Sequence, residues 1–105
     1  MSRRAKLEQL LESDPDDVFL QYALAMEFVS EGNLPVAAQR LEQLLDRDPS
    51  YIAAYFQLGR ILAEEGDVPR ARETLRRGIA TANRAGDTHA AAEMQGLCET
   101  LPTEV

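Results

Sequence analysis

Leu7-Glu8-Gln9-Leu10-Leu11-Glu12-Ser13-Asp14-Pro15 returns thirty-four positions later as Leu41-Glu42-Gln43-Leu44-Leu45-Asp46-Arg47-Asp48-Pro49, with seven of the nine positions identical. The same shift lays Glu31-Gly32-Asn33-Leu34-Pro35-Val36-Ala37 over Glu65-Gly66-Asp67-Val68-Pro69-Arg70-Ala71, and Leu24 and Leu41 over Leu58 and Leu75. A fixed period of this length marks a stacked repeat, in which one small structural unit recurs and buries its apolar face against its neighbours.

Punctuation inside the period says what the unit is. Gly32 and Gly66 suit a helix end that needs positive φ, Asn33 and Asp67 suit the N-cap that follows, and Pro35 and Pro69 then fall in a first helical turn, where a missing donor is tolerated. Each unit therefore reads as helix, tight turn, helix. Six helices are expected, at about residues 3–13, 16–31, 34–47, 50–65, 68–84 and 87–101, with Gly86-Asp87 repeating the stop-then-cap signal. Residues 1–105 are read as a single domain: helix 3–13 as a half repeat, repeat one at 16–49, repeat two at 50–83, a capping helix at 87–101 and a short tail at 102–105.

The two helices of a unit differ in kind. Helix 34–47 carries Leu34, Ala37, Ala38, Leu41, Leu44 and Leu45 on one stripe and Gln39, Arg40, Glu42 and Gln43 on the other side, the one-faced pattern of an outer helix. Helix 16–31 is surrounded by Val18, Phe19, Leu20, Tyr22, Ala23, Leu24, Ala25, Met26, Phe28 and Val29. Such a helix is either buried or shows a second apolar face.

Composition bounds the functions open to the chain. With 105 residues, 45% of them hydrophobic and 28% charged, it has room for one folded domain that buries roughly two thirds of its unfolded surface. The formal charge of -7 argues against a general nucleic-acid binder and against an acidic partner, because neutralising phosphates needs a basic surface. Residues 1–67 hold 6 Lys+Arg and 13 Asp+Glu, whereas residues 68–105 hold 5 of each, so the acidity lies in the first two thirds. Cys98 is the single cysteine, so no internal disulfide forms and no paired thiols hold a metal. No apolar run reaches the length of a signal peptide core or a membrane span, and a cytoplasmic setting without a membrane is expected.

The period and these residues resemble the tetratricopeptide repeat. That family's pattern of a large residue, a leucine-small pair, an aromatic, a small residue in the second helix, a large apolar residue and a closing proline falls on Gln21, Leu24, Ala25, Phe28, Ala37, Leu41 and Pro49 in repeat one. In repeat two it falls on Tyr55, Leu58, Gly59, Leu62, Ala71 and Leu75, with Asn83 replacing the proline. The resemblance covers essentially the whole chain and implies an all-α fold, an α-solenoid of antiparallel helix pairs. Departures are Gln21 at a usually aromatic position, Gly78 inside an outer helix, and incomplete units at both ends, where repeat arrays are commonly atypical. In helix 87–101, Ala90, Ala91, Met94, Leu97, Cys98 and Leu101 form the apolar side of a cap.

Residues that could carry chemistry are few. His89, the single histidine, has no visible partner set for a general base, and one histidine with one cysteine makes no zinc site. Cys98 reads as a small core residue. The acidic run Glu12, Asp14, Asp16 and Asp17 lacks the spacing of a calcium loop and reads as caps on the following helix. Arg70, Arg72, Arg76, Arg77 and Arg84 read as a solvated outer face, and the tail Thr103-Glu104-Val105 resembles a PDZ ligand only over three residues. No catalytic residue, cofactor or metal is expected, and the chain is read as a non-enzyme.

The remaining constellation is a groove. In the resembling family the first helix of each unit lines a concave surface, which implies a partner-binding groove at Phe19, Tyr22, Met26 and Val29, then Ala53, Phe56, Gln57, Arg60 and Ala63, then Ala90 and Met94. Relatives that clamp the C-terminal carboxylate of chaperones use lysine, asparagine and arginine there. This chain offers Tyr22, Met26, Gln57, Asp87 and Ala91, so that function is rejected. An apolar groove edged by Arg60 suits a peptide or amphipathic helix of another protein, making the chain a scaffold or adaptor. The alternative is a homodimer, a structural homo-oligomerisation unit that uses the same face. No nucleic acid is expected as partner.

Overall fold

The structure, a computed structural model, describes residues 2–103 and holds six α-helices and no strand among them. They are α1 (Arg3–Ser13), α2 (Val18–Ser30), α3 (Leu34–Arg47), α4 (Ile52–Glu64), α5 (Val68–Arg84) and α6 (Thr88–Glu99). The bounds of α1, α3 and α5 are those expected from sequence, while α2, α4 and α6 are shorter by one or two residues at their ends. Asp17 explains the first of these: its carboxylate accepts from the Leu20 amide at 3.0 Å, so the residue caps α2 rather than joining it.

The link between paired helices is short because each of its residues serves two helices. At the end of α2, Gly32 takes φ 79° and its N–H donates to Val29 O, while Asn33 N–H donates to Phe28 O at 2.9 Å. This pair of bonds satisfies carbonyls that the helix end leaves open. Asn33 then turns its side chain to the Val36 amide and starts α3, with Pro35 in the first turn. The scheme recurs at Gly66-Asp67 between α4 and α5, and at Gly86-Asp87 between α5 and α6.

By contact the chain divides into two compact units, Met1–Pro49 and Ser50–Val105. In unit one, α2 packs on α1 and on α3. Its core is Leu24, Ala25 and Phe28 from α2 and Ala37, Ala38, Leu41, Leu44 and Leu45 from α3, while α1 buries no residue. At roughly 1.5–3 kcal/mol for each fully buried large aliphatic or aromatic side chain, the α2–α3 pair carries most of the unit's stability. Arg4 and Arg40 lie over the Phe28 ring, 5.2 and 5.4 Å from its centroid, and cover the core with cations.

In unit two, α5 packs between α4 and α6, and α4 also touches α6. Its core is Ala54, Tyr55, Leu58, Ile61 and Leu62 of α4, Ala71, Leu75 and Ala82 of α5, and Ala91 and Met94 of α6, all buried. Two glycines allow the close approach. A Cβ on Gly59 would fall 2.5 Å from Leu75 Cδ2, and a Cβ on Gly78 would fall 2.5 Å from both Tyr55 Cβ and Met94 Sδ. Gly78, which departs from the expected outer-helix pattern, is thus a packing requirement. Buried Thr81 donates its hydroxyl to Arg77 O at 2.8 Å, and no buried side-chain polar atom among the described residues lacks a partner.

Candidate functional site

The nearly all-apolar α2 resolves into two faces. One packs inward through Leu24, Ala25 and Phe28; the other leaves Phe19 66% exposed, with Tyr22 and Met26 half-buried beside it. These three, spaced three and four residues apart on one helical face, line a hollow of about 360 Å³ together with Arg3 and Leu7 of α1 and Ala23, Glu27 and Ser30 of α2. Arg3 Nη1 stands 3.8 Å from Glu27 Oε2 across the hollow, tying α1 to α2 at its edge. Val29 is half-buried and lies outside this hollow.

Unit two carries a separate hollow of about 320 Å³ between α4 and α6, lined by Ile52, Ala53, Phe56, Gln57, Asp87, Ala90, Glu93 and Met94. Ala53 is exposed, and Phe56 and Gln57 are half-buried. Arg60 is exposed one turn further along and donates to Gln57 Oε1 at 3.4 Å. Met94, expected in the groove, has no accessible surface. It forms the floor, wedged against Gly78, and so supports the hollow from beneath rather than offering contact to a partner. Sequence reasoning missed this because a methionine on the apolar side of a capping helix looks the same whether its thioether points outward or into a gap left by a glycine.

The other residues singled out from sequence make no chemical centre. His89 is largely exposed and pairs through Nε2 with Glu93 Oε1 at 3.2 Å, and Cys98 is a half-buried free thiol. Asp16 pairs with Arg47 and Asp17 caps α2. Four of the five arginines of α5 are engaged locally, Arg70 with Asp67, Arg72 with Pro102 O, Arg77 over the Tyr55 ring at 5.6 Å, and Arg84 with Thr81 Oγ1, and Arg76 is exposed. No group of three or more potential metal ligands occurs among the described residues. No helix there is long and apolar enough to cross a membrane. Of the tail noted above, Glu104 and Val105 lie outside the described residues.

A family model described as tetratricopeptide repeat matches residues 22–87, which take in most of both helix pairs. The chain belongs to the tetratricopeptide repeat family. Among solved structures, the tetratricopeptide repeat domain protein of Salinibacter ruber, determined in solution, is 32% identical with a TM-score of 0.77, over 81% of this chain and 86% of that one. A Bordetella parapertussis protein is 28% identical with a TM-score of 0.83, over 94% of this chain and 86% of that one. MamA, at 20% identity and a TM-score of 0.68, shares the fold over 87% of this chain and 61% of its own. No curated protein matches the chain. Tetratricopeptide repeats are in general non-catalytic modules for protein–protein interaction, and the all-α fold of stacked helix pairs seen here is theirs.

Proposed function

We propose that this tetratricopeptide repeat protein is a scaffold or adaptor that binds a peptide or amphipathic helix of another protein on the outward apolar faces of its first helices. The contact residues are Phe19, Tyr22, Met26 and Val29 on α2, and Ala53, Phe56, Gln57 and Arg60 on α4. The observation that carries the reading is Phe19, 66% exposed beside Tyr22 and Met26 on a helix whose core face is already filled. A large aromatic held in water at such a place costs solubility and is repaid by a partner that covers it. We take residues 1–105 to act as one domain and the cytoplasm as its setting, a reading favoured by the single cysteine and the acidic composition.

Chemical-shift mapping with a panel of amphipathic helical peptides tests this. Shifts should cluster at Phe19, Tyr22, Met26 and Phe56, and Phe19→Ala or Phe56→Ala should weaken binding roughly tenfold with helix content retained. Unfolding of both variants would make the residues core and sink the proposal. A stable dimer in light scattering that Phe19→Ala dissociates would assign the face to self-association instead.

A further inference from the structure

The two hollows differ in charge. The α1–α2 hollow of unit one is lined by Arg3 and Glu27, which stand 3.8 Å apart and offset each other. The α4–α6 hollow of unit two is lined by two carboxylates, Asp87 and Glu93, and by no lysine or arginine. Asp87 Oδ1 accepts from the Ala90 amide at 3.0 Å as the cap of α6, and Glu93 Oε1 faces His89 Nε2 at 3.2 Å. Among the described residues neither carboxylate pairs with a lysine or arginine. Arg60 stands outside the lining, its guanidinium donating to Gln57 Oε1. Apart from Gln57, the rest of the lining is apolar: Ile52, Ala53 and Phe56 of α4, and Ala90 and Met94 of α6. The helix that supplies both carboxylates carries Glu93 and Glu99 and no lysine or arginine, so the acidity is local.

We propose that the unit-two hollow selects a cationic amphipathic helix of another protein, seated by one large apolar side chain with a lysine or arginine three residues before it and another three residues after it. This rests on the groove reading of the proposed function and names the partner's chemistry at one of its two hollows. Complementary charge across such a contact sets which partner is chosen. The spacing comes from α6. Asp87 and Glu93 are six residues apart with Ala90 midway, about 9 Å along the helix axis. A helical partner places residues i−3 and i+3 on the face of residue i, with the same rise of about 9 Å between them. An extended segment keeps its cations on the anchor's face only at i−2 and i+2, about 13 Å apart, and misses the pair.

A second copy of this chain does not meet the description. Among the described residues the exposed large apolar side chains are Leu10 and Phe19. Three residues to either side of Leu10 stand Leu7 and Ser13, and to either side of Phe19 stand Asp16 and Tyr22, none of them a cation.

The probe is a synthetic amphipathic helical peptide whose central anchor is a leucine with lysines three residues before and after it, titrated into the full chain by fluorescence anisotropy. At low salt its Kd should lie roughly three- to tenfold below that of the same peptide with glutamines in place of the lysines, and the gap should close as salt rises. Moving both lysines to two residues from the anchor turns them away and should lose the same factor. In the protein, Asp87→Asn with Glu93→Gln should make the lysine and glutamine peptides bind alike, with helix content held because asparagine also caps. Glu64→Gln with Glu65→Gln removes the same charge at exposed positions outside the hollow and should leave the preference unchanged. Phe56→Ala should weaken both peptides. Equal binding of the two peptides, lost on Phe56→Ala, would overturn this proposal and leave the groove reading standing. No saturable binding of either by roughly 1 mM would overturn both. A preference that survives Asp87→Asn with Glu93→Gln, or that vanishes with Glu64→Gln and Glu65→Gln, would put the recognition of the cations elsewhere and overturn the proposal. A native dimer that Phe56→Ala dissociates would make the hollow a self-interface and equally overturn it.

Discussion

The two repeats follow one plan and pack it differently. In unit two, Gly59 and Gly78 let three helices close around Tyr55 and Met94, which are 2% and 0% exposed. In unit one the same positions hold Ala25 and Leu44, and the place of Tyr55 is taken by Gln21, whose side-chain amide donates to Pro15 O at 2.7 Å. Six residues of α4 are buried but only three of α2, and among the described residues the two exposed large apolar side chains, Leu10 and Phe19, lie in unit one. The second helices differ too. Where Pro49 stops α3 at Arg47, Asn83 stands in repeat two, and α5 runs through it to Arg84, 17 residues against 14. A repeat period fixes which helices pair; where the volume sits within each pair decides which faces stay open for partners.

Moving residues from one unit into the other tests this directly. The largest effect is expected from Gly78→Leu, which gives unit two the residue of unit one. Its Cβ would meet Tyr55 Cβ, an atom held by backbone rather than the end of a flexible chain, so relief requires the helices to part. A loss above about 3 kcal/mol is expected, read as a lower urea midpoint. An unchanged midpoint would show that the close approach is dispensable. Gly59→Ala gives unit two the residue at Ala25 and should cost less, about 1 kcal/mol. The atom it meets is the mobile Leu75 Cδ2, and the helix propensity of alanine offsets part of the overpacking. If Gly59→Ala proved worse than Gly78→Ala, the ranking by what the new methyl touches would be wrong.

Most of this architecture was legible in the chain. The period, the Gly-Asn and Gly-Asp links and the prolines at 35 and 69 encode local backbone geometry, which a sequence states almost directly, and three of the six helices match residue for residue. Packing between helices was less legible. Gly78 looked like a flaw because its reason lies in Tyr55 and Met94, on two other helices, and Met94 was assigned to a surface that it instead supports from below. Arg4 was one charge among several until the structure placed it over Phe28, 24 residues away. The exposure of Phe19 was half-legible: a helix apolar on all sides says that a second face exists, not which residues form it.

That arginine supplies the smallest of the expected effects and the sharpest probe of unit one. Because α1 buries no residue, its attachment depends on contacts at its rim: Arg4 Nε donating to Glu31 Oε2 at 3.0 Å, Arg4 over the Phe28 ring, and Arg3 beside Glu27. The ion pairs are about half exposed at Arg4 and contribute little on their own, whereas the cation over an aromatic face is worth about 0.5–1 kcal/mol. Arg4→Ala should therefore speed amide exchange in α1 roughly two- to fivefold while the global urea midpoint hardly moves, the behaviour of a locally opening element. Arg77→Ala removes the corresponding cation from Tyr55, but α5 is anchored by six buried residues, so its exchange should stay near native. Equal acceleration in α1 and α5 would mean that the two units are held together alike, and the contrast between an open first helix and a closed second repeat would fail.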